Sequence, residues 1–200
     1  MRRIGYWSAL SLFSIGVAYV IVLGIGMAAA GLTEPILDPI LAVMEVLTLL
    51  SALVSLILVA AVHARTAPDY KIYSLLALVF MTLMAGATIS VHFVELTALR
   101  QMGSAGLAWP SIPYAIELLA WDVFLGLSLI FAAVVFRGNR LEASIRTGLL
   151  CAGSLCIAGT TGPVLGDMRF QFVAIAGYAV VLPIVSLLIA MLFRQMHRRA

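Results

Sequence analysis

Six apolar runs, most of them more than 20 residues long, dominate this chain of 200 residues. They cover roughly Ile4–Ala30, Pro39–Val62, Tyr70–Ala98, Pro113–Phe136, Ile145–Leu165 and Phe170–Phe193. A helix of about 20 residues spans the roughly 30 Å of bilayer hydrocarbon. Backbone groups in hydrocarbon have no partner outside their own chain, so helices are the default, and the runs lack the alternation of a membrane barrel. With 64% of residues hydrophobic and 10% charged, the composition departs far from that of a soluble domain. The expected fold is an all-α integral membrane protein, one domain over residues 1–200, built as a six-transmembrane-helix bundle.

An even number of spans puts both termini at one end. That end collects Arg2, Arg3, Arg65, Lys71, Arg137, Arg140, Arg146, Arg194, Arg198 and Arg199, whereas the far end holds Arg100 and Arg169. Loop Lys/Arg bias predicts both termini in the cytoplasm, with the plasma membrane of a bacterium or archaeon as the expected location. The net charge of +3 is thus a topology signal. Basic residues spread thinly along one membrane face give no support for nucleic acid as a partner. The N-terminus has the outline of a signal peptide, Met1-Arg2-Arg3 and then an apolar run to Ala28-Ala29-Ala30. Its apolar part is much longer than the roughly 7–15 residues of a signal core, so it reads as a retained helix.

Ionisable groups inside the runs gather toward the far end: Glu45, His92, Glu95, Glu117 and Asp122. Toward the termini the runs offer only small polar groups such as Ser55, Ser128 and Ser186. Polar groups are costly in a bilayer and tend to mark function. Counting 1.5 Å per residue from the basic boundary puts Glu45, His92, Glu95 and Glu117 about 30–36 Å away, at the far interface, and Asp122 about 22 Å away, within hydrocarbon. Carboxylates at that interface are expected to meet headgroups or water. Thr48, Thr88, Tyr19 and Tyr178 fall at about 24–26 Å. Thr88, His92 and Glu95 share one helix face, and His92 is expected to bond to Glu95 or to a helix neighbour. Tyr114, Glu117, Trp121 and Phe124 share another face, a carboxylate among aromatics. Asp122 points about 140° from Glu117 and is expected to reach a neighbouring helix.

These patterns predict a pocket between the second, third and fourth spans. Glu117, Asp122, His92 and Glu95 are its candidate acid–base groups; Glu45, Thr48, Thr88, Tyr114, Trp121, Phe124 and Tyr178 are candidate ligand-binding residues. In kind, the pattern is similar to membrane sterol isomerases and terpene cyclases, in which acids and aromatics line a pocket between helices; no motif here matches either family residue for residue. The expected chemistry is proton transfer to a lipophilic substrate, with a proton- or cation-linked carrier and a non-catalytic accessory subunit as alternatives. No cofactor is expected. A lone His-x-x-Glu gives weak support for a metal, and the other histidines, His63 and His197, lie at the terminal end with Lys71. Nothing in the sequence sets the oligomeric state.

Smaller features add local expectations. Asp38-Pro39 reads as a helix cap followed by proline at the first helical position. Gln101–Ile112, with Gly103, Gly106, Trp109 and Pro110, has the length of a lid over the pocket, and Trp109 suits an interfacial anchor. Asp167 and Arg169 suit a local ion pair. Cys151 and Cys156 point about 140° apart and read as buried free thiols. Gly148, Gly153, Gly159 and Gly162 make the fifth span a close-packing helix, and Pro183 should disturb the sixth. Placing Arg65 on Arg137 superposes Ala60-Ala61-Val62 on Ala132-Ala133-Val134 and Glu45 on Glu117, which suggests a duplicated helical hairpin.

Overall fold

In the computed structural model, residues 2–31, 34–103 and 109–198 are described, with side chains to residue 195. Thr33, Gly106 and Arg199, and the side chains of His197 and Arg198, lie outside the described residues. Six helices are long and apolar enough to cross a membrane: α1 (Arg2–Ala30), α2 (Ile40–Arg65), α3 (Pro68–Leu99), α4 (Ile112–Ala133), α5 (Arg140–Leu165) and α6 (Met168–Gln195). Among the described residues there is no strand.

Each helix packs beside its neighbours in sequence, and α6 returns to α1, closing a ring. Gly5 at the start of α1 meets Phe193 near the end of α6, and Gly16 meets Pro183. The two helices are therefore antiparallel, and the chain begins and ends at one end of the bundle. The outward faces carry large apolar side chains such as Trp7, Ile21, Val43, Ile57, Leu83 and Ile184, as a lipid-facing surface requires.

The glycines of α5 bring helices together. A side chain at Gly153 would begin 2.7 Å from the Gly126 carbonyl of α4, and one at Gly159 would meet Ala174 of α6. Cys156 is buried among these contacts; Cys151, contrary to expectation, is exposed on the outer face.

The helix ends follow ordinary capping chemistry. The Asn139 side chain accepts the Glu142 N–H at the start of α5, and Ser111 accepts the Tyr114 N–H at the start of α4. Asp38 Oδ1 accepts the Ala42 N–H, although Pro39 precedes the first helical residue rather than being it. Gly166 ends α5 with φ of 72°, a left-handed geometry that glycine adopts without strain.

Three helices depart from the α pattern at the far end. Glu95–Leu99 in α3, Leu119–Phe124 in α4 and Ala176–Val181 in α6 are π-helical. Such turns are rare and frequent at functional sites. In α6, Pro183 removes the N–H that would bond the Ala179 carbonyl, next to the π-helical turn.

Candidate functional site

The closed ring forms a cavity of about 930 Å³ at the far end. Its walls come from α1, α2, α4 and α6, with His92 contributed by α3. The pocket expected between the second, third and fourth spans is therefore displaced toward α1 and α6. A ring closed by α1 and α6 leaves its interior between those helices, and the π-helical turns rotate parts of α3 and α4 relative to an ideal helix. The lining reaches down α2 from Leu41 to Ser55, a depth of about 21 Å. The lower walls are mostly apolar, with Leu12, Ile15, Leu47 and Leu182, beside the hydroxyls of Ser51 and Ser55. All three far-end connections contribute at the top, through Pro35, Trp109 and Asp167 among others.

The central polar contact is between His92 and Glu117. Nε2 of His92 lies 2.9 Å from Oε1 of Glu117, and both residues line the cavity. His92 is 3% exposed. Of the partners open to His92, Glu95 is not the one met: it follows His92 on α3 but sits at the start of a π-helical turn, while the imidazole turns across to α4. Glu95 is buried, stands off the cavity wall, and lies in the field of Glu45, Arg100 and His92.

Arg100 organises a second cluster. Its Nη1 donates to Glu45 Oε2 at 2.8 Å, and Nε and Nη2 donate to Asp38 at 2.9 and 2.8 Å. One guanidinium thus ties the end of α3 to the first connection and to α2. Asp38 is held below the ordinary carboxylate range, chiefly by its hydrogen bonds to Arg100. Arg100 is correspondingly held above its own. Glu45 is 1% exposed and lines the cavity, so it is a buried, paired carboxylate and not one solvated by headgroups. Glu95, equally buried, departs from the interfacial expectation in the same way.

A third contact joins α4 to α6. Gln171 Nε2 donates to Asp122 Oδ1 at 2.9 Å. Asp122 is 0% exposed and does not line the cavity; Gln171 does. Asp122 reaches a neighbouring helix, as its position implied, and works at one remove from the cavity.

Among the other predicted residues, Thr48, Tyr114, Trp121 and Tyr178 line the cavity. Trp121 and Tyr178 stack at a tilt with centroids 5.2 Å apart, and Trp109 meets Tyr114 at 6.4 Å, so Trp109 is a wall residue as well as an end-of-helix aromatic. Thr48 donates to the Met44 carbonyl. Thr88 is buried with its hydroxyl toward the Met84 sulfur, and Phe124 packs against the core; neither reaches the cavity. Tyr19 of α1 adds a further hydroxyl to the wall. Asp167 and Arg169 form the expected local pair at 2.6 Å, which holds Asp167 down to about 2.

Sequence reasoning missed Arg100 as a site residue, because it counts as a loop charge until α3 is seen to extend to Leu99. It also missed Gln171, a polar residue one turn into α6 whose position opposite Asp122 exists only in the folded ring.

Several buried polar atoms at this end have no hydrogen-bond partner within the protein: Glu45 Oε1, His92 Nδ1, Glu117 Oε2, Trp121 Nε1 and Gln171 Oε1, all on residues of the wall. Buried polar groups are normally paired, so such a concentration is informative. Among the described residues no group of three or more His, Cys, Asp or Glu is placed to hold a metal ion. Compared with known proteins, the chain matches no family model, no curated protein and no solved structure.

Proposed function

We propose that the cavity takes a lipophilic molecule from the membrane and that the His92–Glu117 pair exchanges a proton with it, in a double-bond isomerisation or a proton-initiated cyclisation. The observation that carries this reading is the 2.9 Å contact between two titratable groups on the wall of a cavity whose deeper walls are mostly apolar. General acid–base catalysis needs a proton donor and acceptor within hydrogen-bond reach of the substrate and shielded from water. Glu117 serves as the donor or acceptor and His92 relays the proton. The faces of Trp121 and Tyr178 stabilise positive charge as it develops. Asp122 acts through Gln171 as a positioning residue, and Glu45, held by Arg100, completes the polar end.

The Lys/Arg asymmetry supports cytoplasmic termini and a cavity that opens outward from the plasma membrane of a bacterium or archaeon. The register that superposes Glu45 on Glu117 supports a duplicated hairpin, and both carboxylates lie on the cavity wall. An accessory subunit would turn its polar residues outward to a partner. Here Glu45, His92, Glu95 and Asp122 are buried within one chain, which supports an internal site instead.

Solvent exchange tests the reading. Protein in liposomes is incubated in deuterated water with its co-purifying lipids, which are then analysed by mass spectrometry. Wild type should place deuterium on carbon in one lipid species, whereas Glu117→Gln and His92→Asn should not. No carbon-bound deuterium in any lipid would overturn the reading.

One observation favours a second reading, a cation-linked carrier. Three buried acids, Glu45, Glu95 and Asp122, and the half-buried Glu117 share this region, and among the described residues Glu45 alone of the four is paired with a guanidinium, that of Arg100. Uncompensated charge is costly at such depth, so protons or another cation must balance it. Proteoliposome flux that is unchanged in Asp122→Asn and Glu117→Gln would count against this alternative.

A further inference from the structure

The unpartnered atoms of the cavity wall state what a bound molecule must offer. Glu45 Oε1, Glu117 Oε2 and Gln171 Oε1 are acceptors without donors. His92 Nδ1 joins them whenever Nε2–H donates to Glu117 and the ring is neutral. Trp121 Nε1 is the one donor in the group. The wall asks for hydrogen-bond donors, and mostly for donors.

The charges on the wall lean the same way. Among the described residues Glu34, Glu45, Glu117 and Asp167 line the cavity, and the only guanidinium there is that of Arg169, which is occupied by Asp167 at 2.6 Å. Arg100, behind the wall, spends its donors on Asp38 and on the other oxygen of Glu45. An anionic head group would face net repulsion. A carbonyl head brings no donor, and a hydroxyl brings one neutral donor to a wall with several unpartnered acceptor oxygens. Tyr19, Trp109, Tyr114, Trp121, Phe172 and Tyr178 supply aromatic surface, whose faces attract cations.

The geometry points to a lipophilic amine, bound in its protonated form, as the molecule this cavity takes: its N–H groups meet Glu45 and Glu117, and its apolar body fills the deeper space between Leu12, Ile15, Leu47 and Leu182. Glu45 is the firmest part of this inference, because its side chain is 1% exposed, lines the cavity and has one oxygen paired with Arg100 and the other with nothing. Charge-assisted bonds to such an oxygen are about twice as strong as neutral ones. The volume of about 930 Å³ suits one molecule of drug or lipid-chain size. The inference rests on the reading that the cavity holds a lipophilic molecule, and it adds the chemical class of the head.

The test compares three probes of one chain length: a primary alkylamine, the corresponding alcohol and the corresponding alkyl sulfonate. Each is titrated against the wild-type protein in a neutral detergent, with the thermal unfolding midpoint as readout. The amine should act at about tenfold lower concentration than the alcohol, and the sulfonate should not stabilise. Glu45→Gln and Glu117→Gln should each bring the amine close to the alcohol while the alcohol response persists, which also reports that the variant cavity is folded. If amine and alcohol stabilise wild type equally, or the sulfonate acts best, the amine inference is overturned and the lipophilic cavity stands. If none of the three stabilises, both fall.

Discussion

The two ends of the bundle bury polar groups in opposite ways. At the terminal end the polar groups are largely consumed by the fold; among the described residues Arg65 Nη1 is the one buried side-chain atom there without a partner, against six at the far end. His63 Nδ1 lies 2.8 Å from Ser74 Oγ, and Thr66 donates to the Val62 carbonyl. Arg65 donates to Glu142 at 3.1 Å, with its guanidinium over the rings of Phe136 and Phe193. Further in, Ser128 donates to the Ala77 carbonyl, and Met81, Ile145 and Val185 fill the interior. At the far end the same kinds of group are only partly consumed: Glu45, Glu117, Trp121 and Gln171 each line a cavity and retain a buried atom with no partner in the protein. Leaving such atoms unpaired opposes folding, so a fold that keeps several of them in one place stabilises something other than itself. The terminal end uses its polar groups to hold the helices together, whereas the far end keeps several of them unpaired on a cavity wall.

The sharpest way to break this contrast is the His92–Glu117 pair. Glu117→Gln or His92→Asn should lower turnover of the lipid substrate by about 10²- to 10⁴-fold while the unfolding midpoint stays within a few degrees. A large loss of stability with turnover per folded molecule intact would assign the pair to the fold, as at the terminal end. Arg100→Ala should be the most destabilising of these far-end changes, by about 3 kcal/mol, because it strands the buried Glu45 carboxylate. That is the low end for a broken buried pair, since the Arg100 side chain is 27% exposed. Denaturant titration in detergent measures it, and Arg100→Ala/Glu45→Gln should recover part of the loss.

Between the two ends, Gly153→Val should cost about 1–3 kcal/mol through overpacking against the Gly126 carbonyl, without changing ligand affinity in the folded fraction. Equilibrium unfolding and binding on the same sample separate the two effects. The smallest effect concerns pH. Arg100 lowers the Asp38 pKa in the folded protein, so the unfolded chain takes up its proton first as pH falls. The contribution is fully present above the unfolded carboxylate value of about 3.9 and is lost as pH falls through the lower folded value. Asp38→Asn should therefore flatten the acid limb of the midpoint-against-pH curve below about pH 4 and leave the neutral region parallel to wild type. An unchanged acid limb would remove Asp38 from the account.

How far the site was legible depended on the helix period. Depth was readable, because rise per residue is a local property: the acids do gather at one end, and Asp122 does reach another helix. Direction was less readable. The π-helical turns carry Glu95, the Trp121–Phe124 stretch and Tyr178, and bonding from i to i+5 turns the chain by less than 100° per residue. A face counted at the α-helical period therefore left the partner of His92 open and brought Phe124 to a cavity it does not reach. Arg100 escaped notice for a related reason: nothing near it in sequence marks the 62-residue separation it spans to Asp38.

What the sequence by itself determined is the material and its layering. Six apolar runs dictate helices, since no other backbone arrangement suits them, and the distribution of charge separates a basic end from an acidic one. Only the tertiary structure decided which acid meets which partner. Ring closure by α1 against α6 set the cavity between α1, α2, α4 and α6, and it brought Gln171 to Asp122, His92 to Glu117 and Arg100 to Glu45. Each of those contacts joins residues 25 to 55 positions apart. Helical rise and period carry information over a few turns; pairings at that separation follow from how whole helices pack, and packing is a property of the assembled ring.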